Sequence, residues 1–131
     1  MTVLDENIVE GQRRLLAAWG IPVRQVGYDL ARKGLKDEEI VVTLHDLRRL
    51  TFITRDAGFY RRDLCHLNYC VVVVSANQYE VAAFVRRFLR HKSFDTQRKR
   101  MGKVVKVMPS GVTFWMLRKA SEASEAWHDR L

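Results

Sequence analysis

Three sets of carboxylates stand where the local pattern of the chain changes: Asp5 with Glu6, Asp37 with Glu38 and Glu39, and Asp56 alone. Asp5 and Glu6 end a short apolar start, and the middle set opens a helix. Asp56 follows residues 51–54, which suit a buried strand, and precedes Ala57, Gly58 and Phe59. Carboxylate oxygens are hard ligands, and a few with open positions suffice for Mg²⁺ or Mn²⁺, which keeps several of its waters. Such an ion activates a water and neutralises charge on a transferring phosphoryl group. A carboxylate just past a buried strand also lies where open α/β folds place their ligands, outside the carboxyl ends of the strands. The expectation is that Asp5, Asp37 and Asp56 converge as catalytic metal ligands, with Glu6 and Glu38 beside them. Each acid has a plain structural use too: Asp5 can end a strand, Asp37 can cap a helix, and Asp56 can close an Asx-turn on its own backbone.

The elements that must position these acids follow from periodicity and punctuation. Residues 2–6 read as a strand. Asn7 and Glu10 have the spacing of a capping box, and Ile8, Leu15, Leu16 and Trp19 share a helical face that Gly20 and Pro22 bring to an end. Residues 23–27 form a second strand and 28–36 a loop. Asp37 caps a helix with Ile40, Val41, Leu44 and Leu47 on its apolar stripe and Arg48 and Arg49 at its end. After Asp56 comes a turn or short helix over 60–67. The run at 70–74, one Cys and four Val, is too apolar for a sheet with a wet face and reads as a central parallel strand covered on both sides. Asn77 and Glu80 repeat the capping-box spacing before a helix carrying Val81, Phe84, Val85, Phe88 and Leu89 on one face. Residues 91–103 are a basic connector. Strands at 104–108 and 112–117 flank the turn residues Pro109, Ser110 and Gly111. Ala120, Ala123 and Trp127 are at helical spacing. The sum is an α/β three-layer sandwich with a mostly parallel central sheet and a C-terminal β-hairpin, a domain over 1–117 followed by a helical tail over 118–131.

At 131 residues the chain suits one domain, and its formal charge of +8 with a pI near 9.9 draws it to a polyanion, nucleic acid first. The densest basic series is Arg86, Arg87 and Arg90, then Arg98, Lys99 and Arg100, guanidinium and ammonium groups suited to an RNA backbone or to an acidic partner protein. Tyr60, Tyr69 and Phe94 are candidate stacking platforms for unpaired bases. No apolar run is long enough to span a bilayer, and Asp5 and Glu6 come too early for a secretory signal. Cys65 and Cys70 read as reduced thiols, which points to a cytoplasmic protein. Cys65, His66 and Cys70 lack the second ligand pair that structural zinc needs. Residues 112–117 could leave a free sheet edge able to pair in a homodimer.

In conjunction, the blocks Val3-Leu4-Asp5-Glu6-Asn7, Lys36-Asp37-Glu38-Glu39-Ile40 and Ile53-Thr54-Arg55-Asp56 followed by Phe59, with the closing strands around Pro109, resemble a known family. It is the compact PIN-like ribonucleases, the branch allied to the toxins of bacterial toxin–antitoxin pairs and to the mut-seven C-terminal ribonuclease domain. The resemblance runs from residue 2 to about 117 by order and spacing of its blocks. It implies a PIN-like fold, a Mg²⁺ or Mn²⁺ site of clustered acids, endonucleolytic cleavage of single-stranded RNA and an antitoxin protein that covers the site. Residue by residue, it implies that Asp5, Asp37 and Asp56 are ligands, with Glu38 a further candidate beside Asp37 and Glu6 at the rim. Thr54 would orient Asp56 through its hydroxyl. The chain departs from the family at Gly58, where a further acid often stands, and lacks an evident glutamate on a helix between the first two blocks. A second reading is therefore a catalytically inactive module that keeps the fold and binds nucleic acid or a partner protein.

Overall fold

The computed structural model describes residues 1–127. Seven strands, Thr2–Leu4 (β1), Val23–Gln25 (β2), Leu50–Thr54 (β3), Tyr69–Val74 (β4), Lys103–Met108 (β5), Gly111–Met116 (β6) and Ala123–Glu125 (β7), form one sheet in the order β2-β1-β3-β4-β5-β6-β7. The pairings from β2 across to β5 are parallel, and β5–β6 and β6–β7 are antiparallel. The helices are Glu10–Ala18 (α1), Asp37–Asp46 (α2), Val81–Arg90 (α3) and Gln97–Arg100 (α4), with short 3-10 turns at Ala57–Phe59 and Arg62–Leu64. Among the described residues, no helix is long and apolar enough to cross a membrane.

The period-two geometry of a strand sends alternate side chains to opposite faces, so a central strand must be apolar at every position. β4 meets that demand, with all of Tyr69–Val74 buried. Cys70, Val72 and Val74 pack with Leu16 of α1 and Val81, Val85 and Phe88 of α3. Val71 and Val73 pack on the other face with Ile40 and Leu44 of α2 and with Phe59. Three layers result. The crossovers β2–α2–β3 and β4–α3–β5 advance the same way along the sheet but put their helices on opposite faces. They are therefore of opposite hand, and one of them breaks the right-handed rule for such units.

Several boundaries differ from the sequence expectation, each for a local reason. α1 begins at Glu10 with Val9 as N-cap and no side-chain cap, so the Asn7–Glu10 box is not made. Asn77 caps nothing either: its Oδ1 accepts the Tyr79 N–H at 2.8 Å in a turn that precedes α3. The buried first turn of α3 is satisfied from another helix, because the buried side chain of Gln12 in α1 accepts the Ala82 N–H at 2.8 Å. α2 starts one residue earlier in its cap than expected, with Lys36 as N-cap and Asp37 as the first helical residue. Glu39 reaches back to accept the Lys36 N–H at 3.2 Å, and since an ammonium cannot accept, only that half of a capping box exists.

The supposed connector over 91–103 is partly core. Phe94 is fully buried, 4.9 Å from Phe88 and edge-on to Phe114 at 5.2 Å, and Tyr69 is buried as well. Neither ring can serve as a platform for bases. The tail is not helical where it is described. Ala123–Glu125 pair with 112–114 as β7, and the Trp127 indole N–H donates to the Met108 carbonyl at 2.9 Å. Gly111 permits this: a Cβ there would meet the Glu125 carbonyl oxygen at 2.6 Å. The sheet thus extends past residue 117, and β6 is an inner strand, which removes the edge expected to pair in a homodimer. The part of the tail from 128 to 131 lies outside the described residues.

Candidate functional site

β1 has β2 on one side and β3 on the other, so the chain leaves β1 one way and returns past it through α2. That reversal opens a crevice at the carboxyl ends of β1 and β3. Asp5 is the first residue after β1, Asp56 lies two residues after β3, and Asp37 opens α2 above them. Chain topology therefore carries three acids from distant parts of the sequence to one end of the sheet.

Asp5 is only 8% exposed, and its carboxylate is held by two donors: the Glu6 N–H reaches Oδ1 at 2.7 Å and the Thr54 hydroxyl reaches Oδ2 at 2.7 Å. Burial pushes its pKa up, against the lowering by these hydrogen bonds, and Asp56 and Glu6 add to the rise. Asp37 is also raised, by partial desolvation first, then by the charges of Asp56, Asp5 and Glu38 and by a hydrogen bond shared with the Asp56 carboxyl. The Asp37 and Asp56 carboxyls thus lie near enough to interact, with Asp5 close enough to be felt through space. Asp56 is fixed by its own loop, Oδ1 accepting the Gly58 N–H at 2.8 Å. This is the Asx-turn use, and it coexists with Asp56 facing the other acids. A Cβ at Gly58 would lie 3.1 Å from Asp56 Oδ1, so a larger acidic residue there would crowd the carboxylate that Gly58 holds.

Thr54 acts differently from the expectation. Its hydroxyl donates to Asp5 and accepts the backbone N–H of Asp56 at 3.0 Å, so it ties the first acid to the loop of the third and leaves the Asp56 carboxylate to Gly58. Glu6 is turned away: its carboxylate accepts the Gly34 N–H at 2.8 Å and pins the loop that leads into α2. Glu38, by contrast, lines with Asp37, Val41, Gly58, Phe59 and Arg61 a cleft of about 290 Å³. Gln25 was not singled out by sequence, yet its buried amide nitrogen lies 3.0, 3.2 and 2.9 Å from the carbonyl oxygens of Asp5, Glu6 and Ile8 and holds the turn after β1. Arg61 was likewise missed as a cleft residue; a basic pair in a turn carries no signal of which acids it will face.

The basic series is not at this site. α3 packs on the sheet face opposite α2. Arg86 lies over the Trp19 ring at 3.7 Å and Arg87 over the Trp127 ring at 4.4 Å. Arg100 is half buried and donates to the Thr51 hydroxyl at 2.9 Å and the Phe94 carbonyl at 2.8 Å, while Lys99 pairs with Asp95 at 2.8 Å. These contacts place α4, with Arg98, by the amino end of β3, roughly 17 Å from Asp56 at the strand rise of about 3.3 Å per residue.

Among the described residues, no group of three His, Cys, Asp or Glu side chains is placed to hold a metal ion as they stand, which covers Cys65, His66 and Cys70 as well. The donor chemistry nevertheless fits a hard divalent cation. Mg²⁺ is commonly held by one or two carboxylates together with waters and substrate phosphate, without an all-protein cage. Asp37 and Asp56, the first raised in proton affinity by burial and by the charge of the second, offer such a pair, with Asp5 behind them. In comparisons with known proteins, no family model, no curated protein and no solved structure matches the chain. Fold and site define an α/β protein with an acidic crevice at its topological switch point.

Proposed function

We propose that the chain is a PIN-like, metal-dependent endoribonuclease that cleaves single-stranded RNA. The observation that carries this reading is the convergence of Asp5, Asp37 and Asp56 at the carboxyl ends of β1 and β3, a cluster of like charge that a cation relieves. Asp37 and Asp56 would hold Mg²⁺ or Mn²⁺ with Asp5, and Glu38 at the rim. Bound there, the ion lowers the pKa of a water and offsets charge on the reacting phosphoryl group. The chain's own part is preorganisation: Thr54 and the Glu6 N–H fix Asp5, the Gly58 N–H fixes Asp56, and the first turn of α2 presents Asp37. Arg61, beside Asp37 and Glu38 in the cleft, supplies a guanidinium to a phosphate oxygen. The role of toxin, and an antitoxin partner that covers the site, rest on the family resemblance of the three acidic blocks.

The second reading, an inactive module that binds nucleic acid or a protein, is favoured by Gly58, which stands where the resembling family often has a further acid. Cleavage of mixed single-stranded RNA with Mg²⁺, Mn²⁺ or EDTA separates the two. Metal-dependent cleavage that Asp56→Asn abolishes supports the nuclease. Intact RNA under every condition, with salt-sensitive binding retained by both proteins, supports the module.

A further inference from the structure

The displacement of α3 and α4 from the acids leaves the route of an RNA strand to be found on the α2 side of the sheet. Strand register defines a row across that side, Thr54 to Val73 to Lys106 to Thr113. With strands about 4.8 Å apart, Lys106 lies roughly 10 Å from Thr54, which itself bonds Asp5. Alternation confirms the face: Val105, Val107, Val112 and Phe114 point into the α1/α3 core, whereas Trp115 packs against the α2 core. No described helix covers β5 and β6 on this side. The loop after Asp56 supplies the neighbours instead. The Tyr60 hydroxyl is 3.0 Å from that of Thr113 and is bonded to Glu122, the Lys106 ammonium lies 5.9 Å from the Tyr60 ring, and the Arg62 guanidinium lies 5.8 Å from the Trp115 ring. Among the described residues, neither Arg62 nor Lys106 has a salt-bridge partner. The acids that face the patch are Glu122, bonded to Tyr60, and Asp63, paired with Arg61 at 2.8 Å.

We propose that a single-stranded RNA lies across this face, over Lys106, Tyr60, Arg62 and Trp115, and enters the acidic cleft past Arg61; the assignment rests on the nuclease reading and gives it a substrate path. Cations along the path meet phosphates, and partly exposed rings beside them meet unpaired bases, the combination that single strands require and that a duplex, with its bases stacked away, cannot use. The patch adjoins the cleft through the consecutive residues Tyr60, Arg61 and Arg62, so a strand bound on it is delivered to the acids without crossing the sheet.

Fluorescence anisotropy with a short labelled oligouridylate in EDTA reads binding apart from cleavage. Arg62→Ala/Lys106→Ala is expected to weaken binding about tenfold or more and, for two lost cations, to flatten the log–log salt dependence by about 1.4. Arg98→Ala/Lys99→Ala is expected to change affinity by less than about twofold on the same electrostatic grounds. A melting curve for each variant checks that the fold is retained. An Arg62/Lys106 variant that keeps wild-type affinity and salt slope, or a wild-type protein that does not bind the oligonucleotide, overturns the path. Metal-dependent cleavage alongside unaltered binding in that variant removes the path and leaves the nuclease standing. Binding by a wild type that leaves RNA intact with Mg²⁺ and with Mn²⁺, lost in the Arg62/Lys106 variant, keeps the path and removes the nuclease.

Discussion

At the scale of single residues, Thr54 is the hinge of the account. A hydroxyl that donates to one carboxylate and accepts from the backbone beside another can be replaced in shape, not in bonding, by Val. Thr54→Val is expected to cost about 1–3 kcal/mol in urea unfolding, since it leaves a buried acceptor and a backbone donor unmatched. Metal affinity should fall about 10–100-fold through the loosened Asp5. Proton linkage gives a second test. Asp5 and Asp37 are raised in the folded protein above the ordinary aspartate range, so their ionised forms cost stability above the raised pKa values, and that cost is relieved as pH falls through them. Asp37→Asn removes its share. The metal-free variant should be more stable than wild type at neutral pH, with the two urea midpoints converging on acidification. The positions of the three acids were legible because each follows a change of local pattern. The partners of Thr54 and Glu6 were not: Thr54 meets Asp5 only because β3 lies beside β1, and Glu6 meets Gly34 only because a loop folds back over it.

Among the elements, the central strand and α3 were readable because their apolar periodicity has a single outcome, a strand or helix buried over a wide face. Caps were read less well. The spacing that suggested Asn77 was correct in composition but one turn too early, and the donor at Ala82 found its acceptor in Gln12, seventy positions away in sequence. Gln12→Ala should therefore destabilise the protein by about 1–2 kcal/mol, as loss of a good helix cap does. Hydrogen exchange should show the Ala82 amide opening early. Unchanged stability would mean that water replaces the cap. The basic face of α3 misled for the same reason that caps did. Composition shows that arginines are present, and only the sheet's topology shows that they lie on the far side from the acids, stacked on Trp19 and Trp127.

For the molecule as a whole, strand order does what no local pattern can. The order β2-β1-β3 opens the crevice, and the antiparallel extension through β7 closes the other flank of the sheet. The helical spacing of Ala120, Ala123 and Trp127 was overridden by pairing with β6, an edge that an isolated helix would have left open. A chain ending at Leu117 loses β7 and the Trp127 bond to Met108, so it should melt lower and self-associate through the bared strand, as sedimentation would show. The central claim is that Asp5, Asp37 and Asp56 act together as one cation site. Titration calorimetry of Mn²⁺ into the wild type and the Asp5→Asn, Asp37→Asn and Asp56→Asn variants, at mildly acidic and neutral pH, tests it most directly. The account predicts saturable binding, proton release that is larger at the acidic pH because the raised carboxyls must ionise, and loss of affinity in every variant. Binding that survives all three substitutions, or no binding by the wild type, would contradict it.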